Sequence, residues 1–173
     1  MLVTLNTNIT NFAYEKFIST NGHDLRFLNE DKTLLLNHEI EKWDTNGNSY
    51  VWVQVPTLFS GGEYIWAFWG EWGNSNQPAS CTNGATWSGG YAGVWHLSEQ
   101  AGSNMDSTVN HNDGTRVGNL LLPAGPIAGA QYFDGNSYIN LGILGYSSTL
   151  NVTNSLTVSA WLYHNTGIGW SFA

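Results

Sequence analysis

The sequence predicts an all-β protein built as two β-sandwich modules. Three observations carry this reading. Short β-rich runs alternate apolar and polar residues, clusters of turn-forming residues separate them, and no stretch sustains a long helical period. Residues 1–5 open directly in strand alternation, and a single helical turn fits residues 12–17. Residues 24–28 and 34–43 flank the polar turn 29–32. Residues 50–55 follow the turn 44–49 and stop at Pro56, and residues 64–69 follow Gly61-Gly62. The pattern breaks over residues 70–90, which are rich in Gly, Ser, Asn and Thr. This stretch closes a first module at 1–78 and supplies a linker at 79–90. A second module, 91–173, begins with the run 91–97 and continues through 130–133 and 138–141 to the strongly patterned 155–163. Both ends are read as truncated, with further domains of the same polypeptide expected beyond them.

Composition narrows the function classes. Charged residues make up 10% of the 173, against about 25% in an average soluble protein. Polarity comes instead from Asn, Ser, Thr and 20 Gly, the residues of tight turns. A net charge of −8 with only five Lys and Arg scattered along the chain argues against neutralising phosphates, so no nucleic-acid partner is expected. No apolar run approaches the ~20 residues of a membrane-spanning helix. The lone Cys81 cannot form an internal disulfide.

Aromatic residues reach 14%, nine of them Trp. Flat rings stack on the apolar faces of sugars while Asn, Asp or Gln read hydroxyls. Trp66, Trp69, Trp72 and Trp87, with Asn74 and Gln77, are therefore the candidate ligand-binding residues. Along residues 64–69 one face carries Tyr64, Trp66 and Phe68 and the other Ile65, Ala67 and Trp69. Alternation alone does not say which is buried.

Two further constellations carry chemistry. Glu39 and Glu41 share one strand face, about 6.5–7 Å apart at the backbone. That overlaps the roughly 5–9.5 Å separations of glycosidase carboxyls. The pair is read instead as a solvated face balanced by Arg26 or Lys42, and no catalytic residue is assigned. The loop from Asp106 to Asp113 is rich in oxygen: Asp106, Asn110, Asn112 and Asp113 are the candidate calcium ligands. The alternative is an Asx-turn loop whose side chains bond their own backbone. His96, beside Trp95, is read as a structural imidazole.

The second half contains Gly93-Val-Trp-His-Leu97 with Glu99, then Asp106-Ser-Thr-Val-Asn-His-Asn-Asp-Gly-Thr115. Gly129-Ala-Gln-Tyr-Phe-Asp-Gly-Asn-Ser-Tyr-Ile139 and Leu156-Thr-Val-Ser-Ala-Trp161 follow. In that order these segments resemble the first half of a laminin-G-like jelly roll of the concanavalin A-like lectin/glucanase superfamily. The first half carries Asn21-Gly-His-Asp-Leu-Arg-Phe27, His38-Glu-Ile-Glu-Lys-Trp43, Tyr50-Val-Trp-Val-Gln-Val-Pro56 and Tyr64-Ile-Trp-Ala-Phe-Trp-Gly70. It resembles the bacterial domain-of-unknown-function family 2341, with Glu71 where that family tends to read Asn.

Together the resemblances imply a modular, exported bacterial protein, extracellular or on the cell surface. The expected function is a non-catalytic binding or adhesion module for glycan or cell-envelope material. A glucanase-like hydrolase whose catalytic strands lie outside this chain is one alternative. A structural stalk, or an accessory domain of an envelope transport protein, is the other.

Overall fold

The computed structural model describes residues 1–58, 62, 64–119, 121–142 and 148–163. Gly61 of the Gly61-Gly62 turn, and residues 164–173 of the second module, lie outside the described residues. The protein is all-β, with several small antiparallel sheets and, among the described residues, only single 3-10 turns as helix.

Strands β1 (Leu2–Leu5), β5 (Ser49–Val53) and β4 (His38–Lys42) form one antiparallel sheet with β5 in the centre. Strands β3 (Leu35–Leu36), β2 (Arg26–Leu28) and β6 (Trp66–Phe68) form a second, with β2 in the centre. Alternation aims one face of each sheet at a shared core. Leu5, Val51, Val53 and Ile40 come from the first, and Phe27, Leu36 and Ala67 from the second. Phe12 and Tyr14, around the expected helical turn, complete the cluster; that turn is a 3-10 turn at Tyr14–Lys16. The Tyr14 hydroxyl reaches the Leu5 carbonyl at 2.9 Å and Ser49 Oγ at 2.8 Å, so a buried polar group is satisfied within the core.

The polar turns form where the sequence places them. The Asn29 side-chain oxygen accepts from the N–H groups of Thr33 and Leu34, both at 2.9 Å. Asp44 caps its turn through the N–H of Asn46 at 3.0 Å. Asp24 holds three distant backbone segments together. Its buried carboxylate accepts from Ile18 and Ser19 at 3.0 Å each and from Gly70 at 2.8 Å. Burial opposes its ionisation, but these N–H groups keep its pKa below the usual carboxylate value. Gly70 sits at φ +78°, and a Cβ there would meet the Lys16 carbonyl oxygen at 2.7 Å.

Residues 79–90, expected as a linker, form 3-10 turns at Ala79–Cys81 and Ala85–Trp87 that dock beside β4 and β5. Ser80 Oγ brackets the His38 backbone, accepting its N–H at 3.3 Å and donating to its carbonyl at 3.2 Å. Gln54 Nε2 donates to Ser88 Oγ at 2.7 Å. Between the turns, Gly84 adopts φ +76°, where a Cβ would lie 2.4 Å from the Val109 nitrogen.

The second half has sparser pairing. Strands β7 (Thr115–Val117) and β8 (Tyr138–Asn140) form a hairpin-like pair, and isolated bridges join Trp95 to Asp106, Asn104 to Gly114 and Leu121 to Tyr132. The expected strands 91–97 and 130–133 are thus reduced to single bridges, whereas 138–141 contains β8. The expected strand 155–163 is corrected: none of it is strand. Its alternation is real, but no ladder pairs with it among the described residues, and Val158 and Trp161 are exposed.

Candidate functional site

Register decides which face of residues 64–69 is buried. Ala67 pairs with Phe27, which pairs in turn with Leu36, and this inward row enters the core. Ile65 and Trp69 follow Ala67 inward. Tyr64, Trp66 and Phe68 therefore face solvent, Trp66 at 44% exposure. Across the strands, Trp66 sits opposite Leu28 and Leu28 opposite Leu35, so the outer surface is an apolar row crossing the whole sheet.

Two devices brace this face. Trp66 Nε1 donates to the Glu30 carbonyl at 2.9 Å, and Lys32 Nζ lies 4.1 Å from the indole centroid. These contacts fix the ring against the 29–32 turn. At the other end, Arg26 is the cross-strand partner of Phe68. Its guanidinium donates to the carbonyls of His23 and Leu25, and to Asn74 Oδ1 at 2.7 Å and the Asn76 carbonyl at 3.0 Å. Arg26 thereby ties the 71–76 turn to the sheet, and Trp72 in that turn is 92% exposed.

The predicted ligand residues separate accordingly. Trp66 belongs to the exposed face, while Trp72 in the following turn and Gln77 beyond it are exposed. Asn74 serves as the Arg26 anchor. Trp69 turns inward, stacked on Phe17 at 5.5 Å and edge-on to Phe12 at 5.3 Å. Trp87 lies elsewhere, packed on Trp52 and Tyr91 over the outer face of the first sheet. Tyr64 and Phe68 join the platform without having been singled out. The two-residue alternation was their signal, and only the Phe27–Ala67 pairing resolves it.

The acid pair is corrected in its surroundings. Register shifts between Ile40 and Lys42, leaving Glu41 as the extra residue of a bulge. Neither Arg26 nor Lys42 balances the pair; Lys42 instead pairs with Asp44 at 3.0 Å. The counter-charge is His96. Its Nδ1 contacts Glu41 Oε2, and its Nε2 lies 3.5 Å from Glu39 Oε1, near enough for an ion pair but without hydrogen-bond geometry. Trp52 Nε1 donates to Glu41 at 3.0 Å, Trp87 Nε1 donates to Glu39, and Ser107 Oγ donates to Glu39 at 2.8 Å. The imidazole stacks on Trp52 at 6.1 Å and lies 5.6 Å from Trp87. Burial opposes its charge, but the two carboxylates of Glu39 and Glu41 beside it prevail and raise its pKa to about 9. Burial likewise works against Glu41 ionisation, and His96, Trp52 and Ser98 reverse that and lower its pKa.

The Asp106 loop is wound around one carboxylate. Asp106 Oδ1 accepts from the N–H groups of Val94 at 2.9 Å and Thr108 at 3.0 Å. Oδ2 accepts from Thr108 Oγ1 and the Asn112 N–H, both at 2.9 Å. Asp113 Oδ1 accepts the Asp106 N–H at 2.9 Å. Asn110 and Asn112 aim their amide nitrogens at the Ala92 carbonyl, at 3.1 and 2.9 Å. The calcium candidates are thus drawn into the loop's own bonds, in the manner of Asx turns. Among the described residues, no three His, Cys, Asp or Glu side chains gather as a metal site.

No curated protein and no solved structure matches the chain. A family model described as "Domain of unknown function (DUF2341)" matches residues 21–117. The match runs past residue 78, across the docked turns, and takes in Glu39, Glu41, Trp66, Trp87, His96 and the Asp106 loop. Covering more than half of the chain, it shows that this protein belongs to the DUF2341 family.

Proposed function

We propose that this chain is a non-catalytic binding module that recognises carbohydrate or cell-envelope material. The observation that carries the reading is the row of Trp66 and Phe68, with Tyr64 just before them, exposed along a strand whose opposite face enters the core. Solvent-facing rings on a rigid strand give a pre-formed platform for the C–H faces of sugars, with little ordering cost on binding. The surrounding Leu28 and Leu35 extend its apolar area, and Arg26 ties the turn that carries the exposed Trp72 to the Phe68 end.

Several features support the absence of catalysis. A glycosidase needs one carboxyl to donate a proton and a second to meet the sugar or a water. Here the Glu41 side chain is 3% exposed, and both carboxylates are engaged by His96, Trp52, Trp87 and Ser107. The resemblance of the second half to the beginning of a laminin-G-like jelly roll is part of the same proposal, as is an extracellular or cell-surface location.

The test is a glycan array probed with the full chain, followed by calorimetric titration of the best binder against wild type and Trp66→Ala. The expected result is saturable binding that weakens about tenfold or more in Trp66→Ala. A blank array with well-folded protein refutes the reading and favours a structural stalk. Hydrolysis of any arrayed glycan favours the enzyme alternative.

A further inference from the structure

We propose that the Glu39–His96–Glu41 cluster is a pH-sensitive clasp: while charged, His96 holds residues 85–107 on the outer face of the β1-β5-β4 sheet, and its deprotonation releases them. The proposal is independent of what the aromatic face of β6 binds.

The geometry favours a charged ring. Each nitrogen of His96 faces a carboxylate oxygen, Nδ1 toward Glu41 and Nε2 toward Glu39. A neutral imidazole carries one N–H and one lone pair, so one carboxylate would then face a lone pair. The site is also desolvated, with the His96 side chain at 14% exposure. Loss of the proton leaves the covered Glu41 and the largely covered Glu39 carboxylates against neutral donors, a costly arrangement. The cheapest relief is movement of the covering segment, because the glutamates stand on β4, which its ladder to β5 and Ile40 in the core hold in place.

Among the described residues, the surroundings supply no substitute cation. From β4 come Glu39 and Glu41, and from β5 the uncharged Trp52. The 3-10 turns contribute Trp87, and Cys81, whose thiol is pushed up to about 11 by burial with the Glu39 charge adding to it. From the following segment come Ser98 and Ser107. Glu99 is turned to the Asn104 amide and the Met105 N–H, and Asp106 into its own loop. Lys42 is held by Asp44. Most other ties of the segment are neutral, among them Asn37 to the Ala85 carbonyl and Gln54 to Ser88.

The sign follows from the raised pKa. Stabilisation by His96 is complete below its ordinary value of 6.5 and is lost as pH rises through about 9. Glu41, with its pKa lowered, contributes in full above 4.5 and loses that contribution as pH falls through the lowered value. The clasp is therefore closed at neutral pH and opens first on the alkaline side.

An alkaline titration of the full chain tests this, followed by histidine-ring NMR shifts and by hydrogen exchange corrected for the intrinsic rise with pH. The expected result is one imidazole titrating at about 9. Protection of residues 85–107 should fall tenfold or more over the same range, while β2 and β5 keep theirs. Glu41→Gln should move the midpoint and the release down together, by roughly 1 to 3 pH units. His96→Gln, which keeps one donor but cannot charge, should abolish the step. If His96→Gln does not fold, the Glu41→Gln shift decides. A midpoint at or below 6.5, or protection of 85–107 that is unchanged across the titration, overturns the proposal.

Discussion

Residues 1–70 and residues 91–142 are held together by different physics. In the first region the buried side chains are mostly Leu, Phe, Tyr and Val, gathered into one cluster between two sheets. In the second, the buried side chains are Asn104, Asp106, Thr108 and Ser137. Asn104 illustrates the contrast. Its backbone exchanges hydrogen bonds with Gly114 at 2.8 and 2.7 Å, its amide donates to Glu99 at 2.9 Å, and its side-chain oxygen accepts from Arg116 at 3.1 Å. Apolar burial is non-directional and tolerant, whereas a polar core is stable only while every partner is present. The aromatic platform stands on the first kind of region and the clasp joins it to the second. On the two proposals together, the aromatic face stays rigid on its apolar core while the polar half responds to pH.

Substitutions can break this comparison at either end. The largest effect is expected for Phe27→Ala in the centre of the apolar cluster. Loss of a fully buried ring costs about 3–5 kcal/mol, and denaturant unfolding should show one transition moved to lower midpoint. Asp106→Ala should cost about 2 kcal/mol or more by leaving buried N–H groups unpaired. Its damage should stay local: hydrogen exchange should lose protection around 94–112 and keep it in β2 and β5. Uniform loss across both regions would merge them into one cooperative unit.

Smaller effects sharpen the picture. The Asp24 carboxylate, with its pKa lowered by backbone N–H groups, contributes in full above 3.8, and the contribution disappears as pH falls through the lowered value. Asp24→Asn should flatten the acid limb of a melting-temperature profile while leaving the alkaline limb unchanged. The smallest stability effect is expected for Trp66→Ala, within about 1 kcal/mol because its ring is half exposed. A large drop in melting temperature there would mean the ring is structural.

Strand alternation made much of the first region legible. Strands β1, β2, β3, β4 and β6 fall within runs visible in the sequence, β5 starts one residue before its run, at Ser49, and the turns at Asn29 and Asp44 rest on local side-chain caps. What stayed hidden depends on partners far along the chain. Period two defines two faces for residues 64–69, but only the Phe27–Ala67 pairing chooses between them. The charge balancing Glu39 and Glu41 comes from His96, remote in sequence, so nearby Arg26 and Lys42 were the wrong candidates. Residues 155–163 alternate as a strand does, yet alternation supplies no ladder. Strand β7 was overlooked because Thr-Arg-Val after Asp113-Gly114 is short and centred on a charge.

The most direct test of the central claim is a hydrogen-exchange footprint of the full chain with the strongest glycan found by array. Added protection confined to residues 28–35 and 64–72 is the result this account predicts. Protection centred on residues 91–142, or none at saturating glycan, would contradict it.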